Sequence, residues 1–200
     1  MINIQLLKSS HPFSANTYLV SSENEYAVID PTAPYAPELC LGTLKYVLLT
    51  HAHFDHILEI KSWVNATGAQ VIISSNEVDA LRDPMRNCFK LYNGTDNGYF
   101  GEAKGINDGE VLELGDSKIR YISLPGHTIG SGAYLLNTNA FVGDTVFAGG
   151  GFGRFDLPTG NLVMLRESIK KVLNLPDETV LYPGHGEFTT IKQYKQDFRG

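Results

Sequence analysis

The stretch Thr50-His51-Ala52-His53-Phe54-Asp55-His56 puts three of the chain's six histidines and one carboxylate into a single short run. On an extended segment, residues two apart project to the same side and lie about 6.5–7 Å apart, so the rings of His51 and His53 can both turn onto one metal ion. Asp55 and His56 follow where the chain begins to coil, at roughly 100° per residue, and point elsewhere. That pairing suits a second ion beside the first. Capping alone favours an Asp at a helix start, but a cap does not call for three histidines.

More candidates stand at the ends of other apolar runs. Residues 119–124 lead into Pro125-Gly126-His127-Thr128, residues 140–142 into Gly143-Asp144, and residues 180–182 into Pro183-Gly184-His185-Gly186. In each case a metal-competent side chain stands just past a β-type run with Gly beside it, and Gly lets backbone approach a bound ion or substrate. Taken singly, each would read as a turn residue. Taken together with residues 50–56, they point to convergence on one sheet edge. His51, His53, Asp55, His56, His127, Asp144 and His185 are too many for one tetrahedral ion. They match two ions with a shared carboxylate. Imidazole and carboxylate without thiolate suit zinc, iron or manganese. The two cysteines, Cys40 and Cys88, are far apart and in no Cys-x-x-Cys arrangement, which reads as free thiols in a reducing compartment without a metal role.

The elements that must position these groups follow from local pattern. Residues 2–7, 17–20 and 26–29 are short runs rich in β-formers, the third closed by Asp30-Pro31. Residues 44–49 predict a buried strand entering the histidine loop. Ile57, Ile60 and Val64, with Trp63 adjoining, predict an amphipathic helix opened by Asp55 or His56 and ended by Gly68. A strand is expected over 69–73 and a small helix over 77–82, capped by Asn76 and stopped before Pro84. Residues 133–136 alternate as a strand ahead of 140–142, and the apolar positions 162, 165, 169, 172 and 173 predict a helix packed on a sheet. Tyr182 and Phe155 read as core or pocket wall.

Between 83 and 108 the pattern dissolves into Gly, Asn, Tyr and Phe. A loop of that length reads as an insertion whose aromatics wall or cover an active site, or as a surface insertion without a role. Arg154, at the end of the Gly-rich run 149–154, either clamps a substrate carboxylate or phosphate or pairs with Asp156.

With 200 residues, 42% apolar and 19% charged, and no linker or low-complexity run, the chain reads as one domain over 1–200. The net charge of −6 and the lack of a basic cluster argue against a nucleic-acid surface. The start of the chain has too short an apolar stretch for a secretory signal, and no apolar span is long enough to cross a membrane. A soluble, cytoplasmic protein is expected.

These motifs, in this order, resemble the metallo-β-lactamase superfamily, and within it the glyoxalase II-like (hydroxyacylglutathione hydrolase-like) branch. The resemblance runs through Asp30, Thr-His-Ala-His-Phe-Asp-His at 50–56, Pro-Gly-His-Thr at 125–128, Gly-Asp-Thr-Val-Phe at 143–147, Gly-Arg-Phe-Asp-Leu-Pro at 153–158 and Pro-Gly-His-Gly at 183–186. It implies an α/β fold, an αββα sandwich of two mixed sheets with helices outside. It further implies two divalent ions, zinc first with iron or manganese as alternatives. His51, His53 and His127 would hold one ion, Asp55, His56 and His185 the other, and Asp144 would bridge them. Asp30 would hydrogen-bond a ligand histidine and fix its tautomer, or serve as a turn aspartate before Pro31.

The implied chemistry is attack of a metal-bridging hydroxide on a carbonyl, with Asp55 orienting the nucleophile and accepting its proton. The substrate expected is a small anionic thioester; lactam, lactone and phosphoester cleavage stay open. Glutathione-specific members carry a long C-terminal helical extension, whereas this chain runs only fifteen residues past His185, so a different thioester is expected. Two other readings stand beside hydrolysis: a mononuclear iron persulfide dioxygenase, and a non-catalytic metal- or partner-binding domain. The oligomeric state has no sequence signal.

Overall fold

The computed structural model describes residues 1–92 and 98–199. Two six-stranded mixed sheets lie between layers of helix. The first sheet takes β1 (Ile2–Leu7), β2 (Thr17–Ser22), β3 (Glu25–Ile29), β4 (Thr43–Leu48), β5 (Gln70–Ser74) and β6 (Lys104–Ile106) in sequential order. The second takes β7 (Val111–Leu114), β8 (Ser117–Ser123), β9 (Gly132–Leu136), β10 (Asn139–Gly143), β13 (Val180–Pro183) and β14 (Thr189–Thr190). Between β10 and β13 a small ribbon of β11 (Val146–Phe147) and β12 (Gly151–Phe152) forms a separate pair. The helices are α1 (Ile60–Thr67), α2 (Phe89–Tyr92), α3 (Leu162–Leu173) and α4 (Ile191–Asp197).

Period-two alternation explains the layering. In β4, Val47 faces α1 and Leu48 the opposite sheet; in β5, Val71 and Ile73 face α1 and Ile72 the opposite sheet. In the second sheet, Tyr134 and Phe141 fill the space between sheets, while Ala133, Ala140 and Val142 pack against Leu165, Ile169 and Val172 of α3. Central strands buried on both faces read as continuous apolar runs, which is why residues 44–49 and 140–142 stand out in the sequence. Each fully buried Leu, Ile or Phe contributes about 1.5–3 kcal/mol. Trp63, fully buried under the first sheet, also donates its indole N–H to Ala33 O at 2.8 Å.

Helix punctuation follows local chemistry. Gly68 ends α1 in the left-handed region at φ 70°, and the Asn161 side chain caps α3 by accepting Met164 N–H. Several expectations need correction. α1 starts at Ile60 rather than at Asp55 or His56, because a 3-10 turn over Phe54–His56 comes first. There the Asp55 carbonyl accepts from Ala15 and the Phe54 N–H donates to Asn87, so the backbone is tied to neighbours instead of to its own helix.

The expected helix over 77–82 is a 3-10 turn, Asp79–Arg82, without an Asn76 side-chain cap. The stretch 83–108 is not wholly irregular: it contains α2 and the edge strand β6, while residues 93–97 lie outside the described residues. After His185 the chain forms β14 and then α4, whose Ile191 and Tyr194 enter the core. Phe155 is exposed rather than buried; Tyr182 is half-buried against Phe141. No described helix is long and apolar enough to cross a membrane.

Candidate metal centre

Strand polarity brings the candidates together. β3 and β4 are parallel, as are β10 and β13, so each parallel pair presents its C-terminal ends on the same side. Asp30 follows β3, His51–His56 follow β4, Asp144 follows β10 and His185 follows β13, while His127 lies in the β8–β9 connection. All seven predicted ligands meet in one place. His51 Nε2 and His127 Nε2 lie 3.1 and 2.9 Å from His53 Nδ1. His185 Nε2 is 3.2 Å from Asp55 Oδ2 and 3.6 Å from Asp144 Oδ2, and His56 Nε2 is 3.3 Å from Asp144 Oδ1. Among the described residues, three overlapping donor sets result: His51, His53 and His127; His51, His56 and Asp144; and Asp55, His56 and His185, with the donor atoms of each set within 4.8 Å of one another.

The far side of three rings is fixed. His127 Nδ1 donates to the Arg154 main-chain carbonyl at 2.7 Å, and His56 Nδ1 faces Asp30 Oδ2 at 2.9 Å. His51 Nδ1 lies 3.2 Å from Thr50 Oγ1. A proton held on Nδ1 leaves the Nε2 lone pair of His127 and His56 directed into the centre. Asp30 itself sits at φ 49°, a conformation a non-glycine residue keeps only where its surroundings impose it. Its carboxylate accepts Thr50 N–H at 2.8 Å and Thr50 O–H at 2.7 Å as well as facing His56.

The electrostatics are those of crowded imidazoles and carboxylates. Burial, with His127 beside it, pushes His53 down to about 3; burial, with His56 adjacent, drives His51 well below its usual range. Burial also lowers His127. Burial opposes charge on His56 too, but Asp144 and Asp30 outweigh it and hold this ring well above its ordinary value. Asp144, although buried, is pulled well below the carboxylate range by His56, and Asp55 is lowered against its burial by its bond to His185.

A cleft of about 450 Å³ opens over the centre. His53, Asp55, His127, Asp144 and His185 line it, with walls from Phe13, Tyr92, Phe147, Leu157 and Arg154. Arg154 pairs with Asp156 through Nε and Nη2, each at 2.8 Å, and its Nη1 donates to the Tyr92 hydroxyl at 2.6 Å. The guanidinium nevertheless stands on the cleft wall.

Residues that sequence reasoning missed include Thr50; Asn16, whose amide donates to Pro183 O and Gly186 O on either side of His185; and Glu77, a buried acid whose pKa burial raises while hydrogen bonds, the first from Ala52 N–H, oppose that rise. Gly184 is set by close approach: a Cβ there would collide with Asp144 Oδ1 and the His56 ring.

The family model described as Metallo-beta-lactamase superfamily matches residues 11–185. The chain belongs to the metallo-beta-lactamase superfamily. Over 98% of its length it is 31% identical to the hydroxyacylglutathione hydrolase GloC of Haemophilus influenzae, covering 96% of that protein. It also spans about a third of the length of a beta-lactamase hydrolase-like protein of Xylella fastidiosa, with 35% identity over 144 residues. Among solved structures, BLEG-1 B3 metallo-beta-lactamase superposes with a TM-score of 0.85 at 29% identity, over 98% of this chain and 97% of that one. ETHE1 from Myxococcus xanthus does so with a TM-score of 0.77 at 28% identity, over 98% and 83%. The superfamily binds divalent metals, and the His/Asp cluster suits such a site.

Proposed function

We propose that this chain is a dinuclear metallohydrolase that cleaves a small anionic thioester. The observation that carries the reading is the pair of donor sets on either side of Asp144. The fit to cations is visible in the side chains themselves: His56 Nε2 and Asp144 Oδ1 are buried without a hydrogen-bond partner, although only 3.3 Å apart. With no metal ion present that contact is relieved only by a proton on His56 Nε2, the place a bound cation would take. His51, His53 and His127 would hold one ion, Asp55, His56 and His185 the other, with Asp144 shared; the imidazole and carboxylate donors favour zinc over softer-ligand metals.

Bound there, the ions would polarise a carbonyl and lower the pKa of water from about 15.7 to about 7. Asp55, ionised, would orient the attacking water and accept its proton. The cleft offers no obvious general acid, and a thiolate with a conjugate pKa of about 8.5 leaves without one. Phe13, Phe147 and Leu157 keep water off the acyl group, and Arg154 at the wall meets the negative charge of the substrate. Net charge of −6 fits a small-molecule substrate rather than nucleic acid. Two free cysteines fit a cytoplasmic setting.

The test is a panel of thioesters, lactones, β-lactams and phosphodiesters on the zinc-loaded chain, with Asp55→Ala beside it. Thioester turnover lost in Asp55→Ala with the fold intact supports the reading; activity unchanged by that substitution removes Asp55 from it. The likeness to ETHE1 favours a second reading, a mononuclear iron persulfide dioxygenase, for which a single iron and oxygen uptake on a persulfide would be decisive.

A further inference from the structure

Glu77 lies in the turn after β5, apart from the seven ligand candidates and from the cleft lining, and is 2% exposed. Its two oxygens serve two different loops. Oε2 accepts the N–H of Ala52, the residue between His51 and His53, at 3.0 Å. Oε1 accepts the N–H of Gly130, in the loop that carries His127, at 3.1 Å. The first loop leaves the first sheet and the second belongs to the other sheet, so one carboxylate joins the peptide segments that bear all three rings of the tri-imidazole set.

Burying an ionised carboxylate is unfavourable compared with an apolar side chain of equal volume, unless its charge is fully hydrogen-bonded. Here the charge has a specific use, since only a carboxylate accepts at both oxygens from two N–H groups facing it. Gly130 matches it: a Cβ at 130 would collide with Glu77 Cγ. The link is not the fold's sole tie between these loops, because Gly132 N–H also donates to Thr50 O at 3.0 Å.

We propose that Glu77 is a positioning residue for the tri-imidazole half of the metal centre, setting the separation of the His51–His53 loop and the His127 loop and hence that half's affinity for a divalent cation. The inference rests on the dinuclear reading above. Glu77→Gln keeps the side chain's size but turns an NH₂ group toward one of the two N–H donors; Glu77→Asp keeps the charge but reaches only one loop. Val172→Ala, on the core-facing side of α3, serves as a control for a general loss of stability.

The measurement is Co²⁺ titration of the chelator-stripped full chain, followed by absorption and calorimetry, and repeated in a His185→Ala background in which the Asp55–His56–His185 set is incomplete. Glu77→Gln is expected to weaken that set about 10–100-fold, Glu77→Asp by less, with the Asp55–His56–His185 set unchanged and Val172→Ala without effect on either. Folded Glu77→Gln or Glu77→Asp protein with wild-type Co²⁺ affinity at the tri-imidazole set would overturn the proposal, as would equal weakening of both sets or the same loss in Val172→Ala. Wild-type chain that binds no Co²⁺ would instead refute the dinuclear reading itself.

Discussion

Asp30 Oδ2 lies 2.9 Å from His56 Nδ1, on a residue held at φ 49° and gripped by both the N–H and the hydroxyl of Thr50. Asp30 holds the Nδ1 proton of His56, so the proton that must leave for an ion to enter is the one on Nε2, facing Asp144.

Asp30→Asn separates that charge from the backbone, since Asn tolerates the left-handed region. Either orientation of the amide places an NH₂ against a donor, so the tautomer of His56 is no longer fixed. Zinc affinity at the Asp55–His56–His185 set should fall about 10–100-fold with the fold retained. Competition with a chromogenic chelator measures this, and an unchanged affinity would remove Asp30 from the account.

The unequal shifts of the histidines predict a pH-dependent stoichiometry. His51, His53 and His127 are lowered below the ordinary value and are neutral, ready to bind, down into mildly acidic solution; His56 is raised and must expel a proton before an ion can enter. As pH falls, the second set should empty before the tri-imidazole set, and metal per chain should drop through a plateau at one. Dialysis against zinc at stepped pH would reveal it; loss of both ions in a single step would contradict it.

The metal-free fold follows the same signs. His53, depressed to about 3, contributes stability that is present above pH about 6.5 and is lost as pH falls through its folded-state value. His56, raised, contributes in the opposite sense: fully below about 6.5 and lost as pH rises through its own elevated value.

Arg154→Leu should separate binding from chemistry. Its pair with Asp156 is more than half exposed and screened by solvent, so stability should barely change. The main-chain carbonyl that anchors His127 is retained. KM for anionic thioesters should rise about tenfold or more with kcat little affected, and neutral esters should be spared. Equal effects on charged and neutral substrates would take Arg154 out of substrate recognition.

Much of the centre was legible because the candidate ligands stand next to the strands that aim them. His51 and His53 share a loop with Asp55 and His56, and the apolar runs before Asp144 and His185 mark parallel strands whose ends coincide. The αββα layering was implied by the resemblance of the motifs to the superfamily, whereas the individual strands were legible from their apolar runs. Glu77 was not, because its partners are 25 and 53 positions away and its significance lies only in the meeting of two loops. The start of α1 was misplaced since nothing local announces that Asp55 O is taken by Ala15. β6 and β14 have three and two residues, too short to carry a period.

The central claim is that these side chains hold two cations with Asp144 between them. A zinc-soaked crystal measured across the zinc absorption edge tests it most directly. The account predicts two anomalous peaks, one among His51, His53 and His127 and the other among Asp55, His56 and His185, each within bonding distance of Asp144. A crystal in excess zinc with no peak there, or with a single peak and His185 turned away, would contradict it.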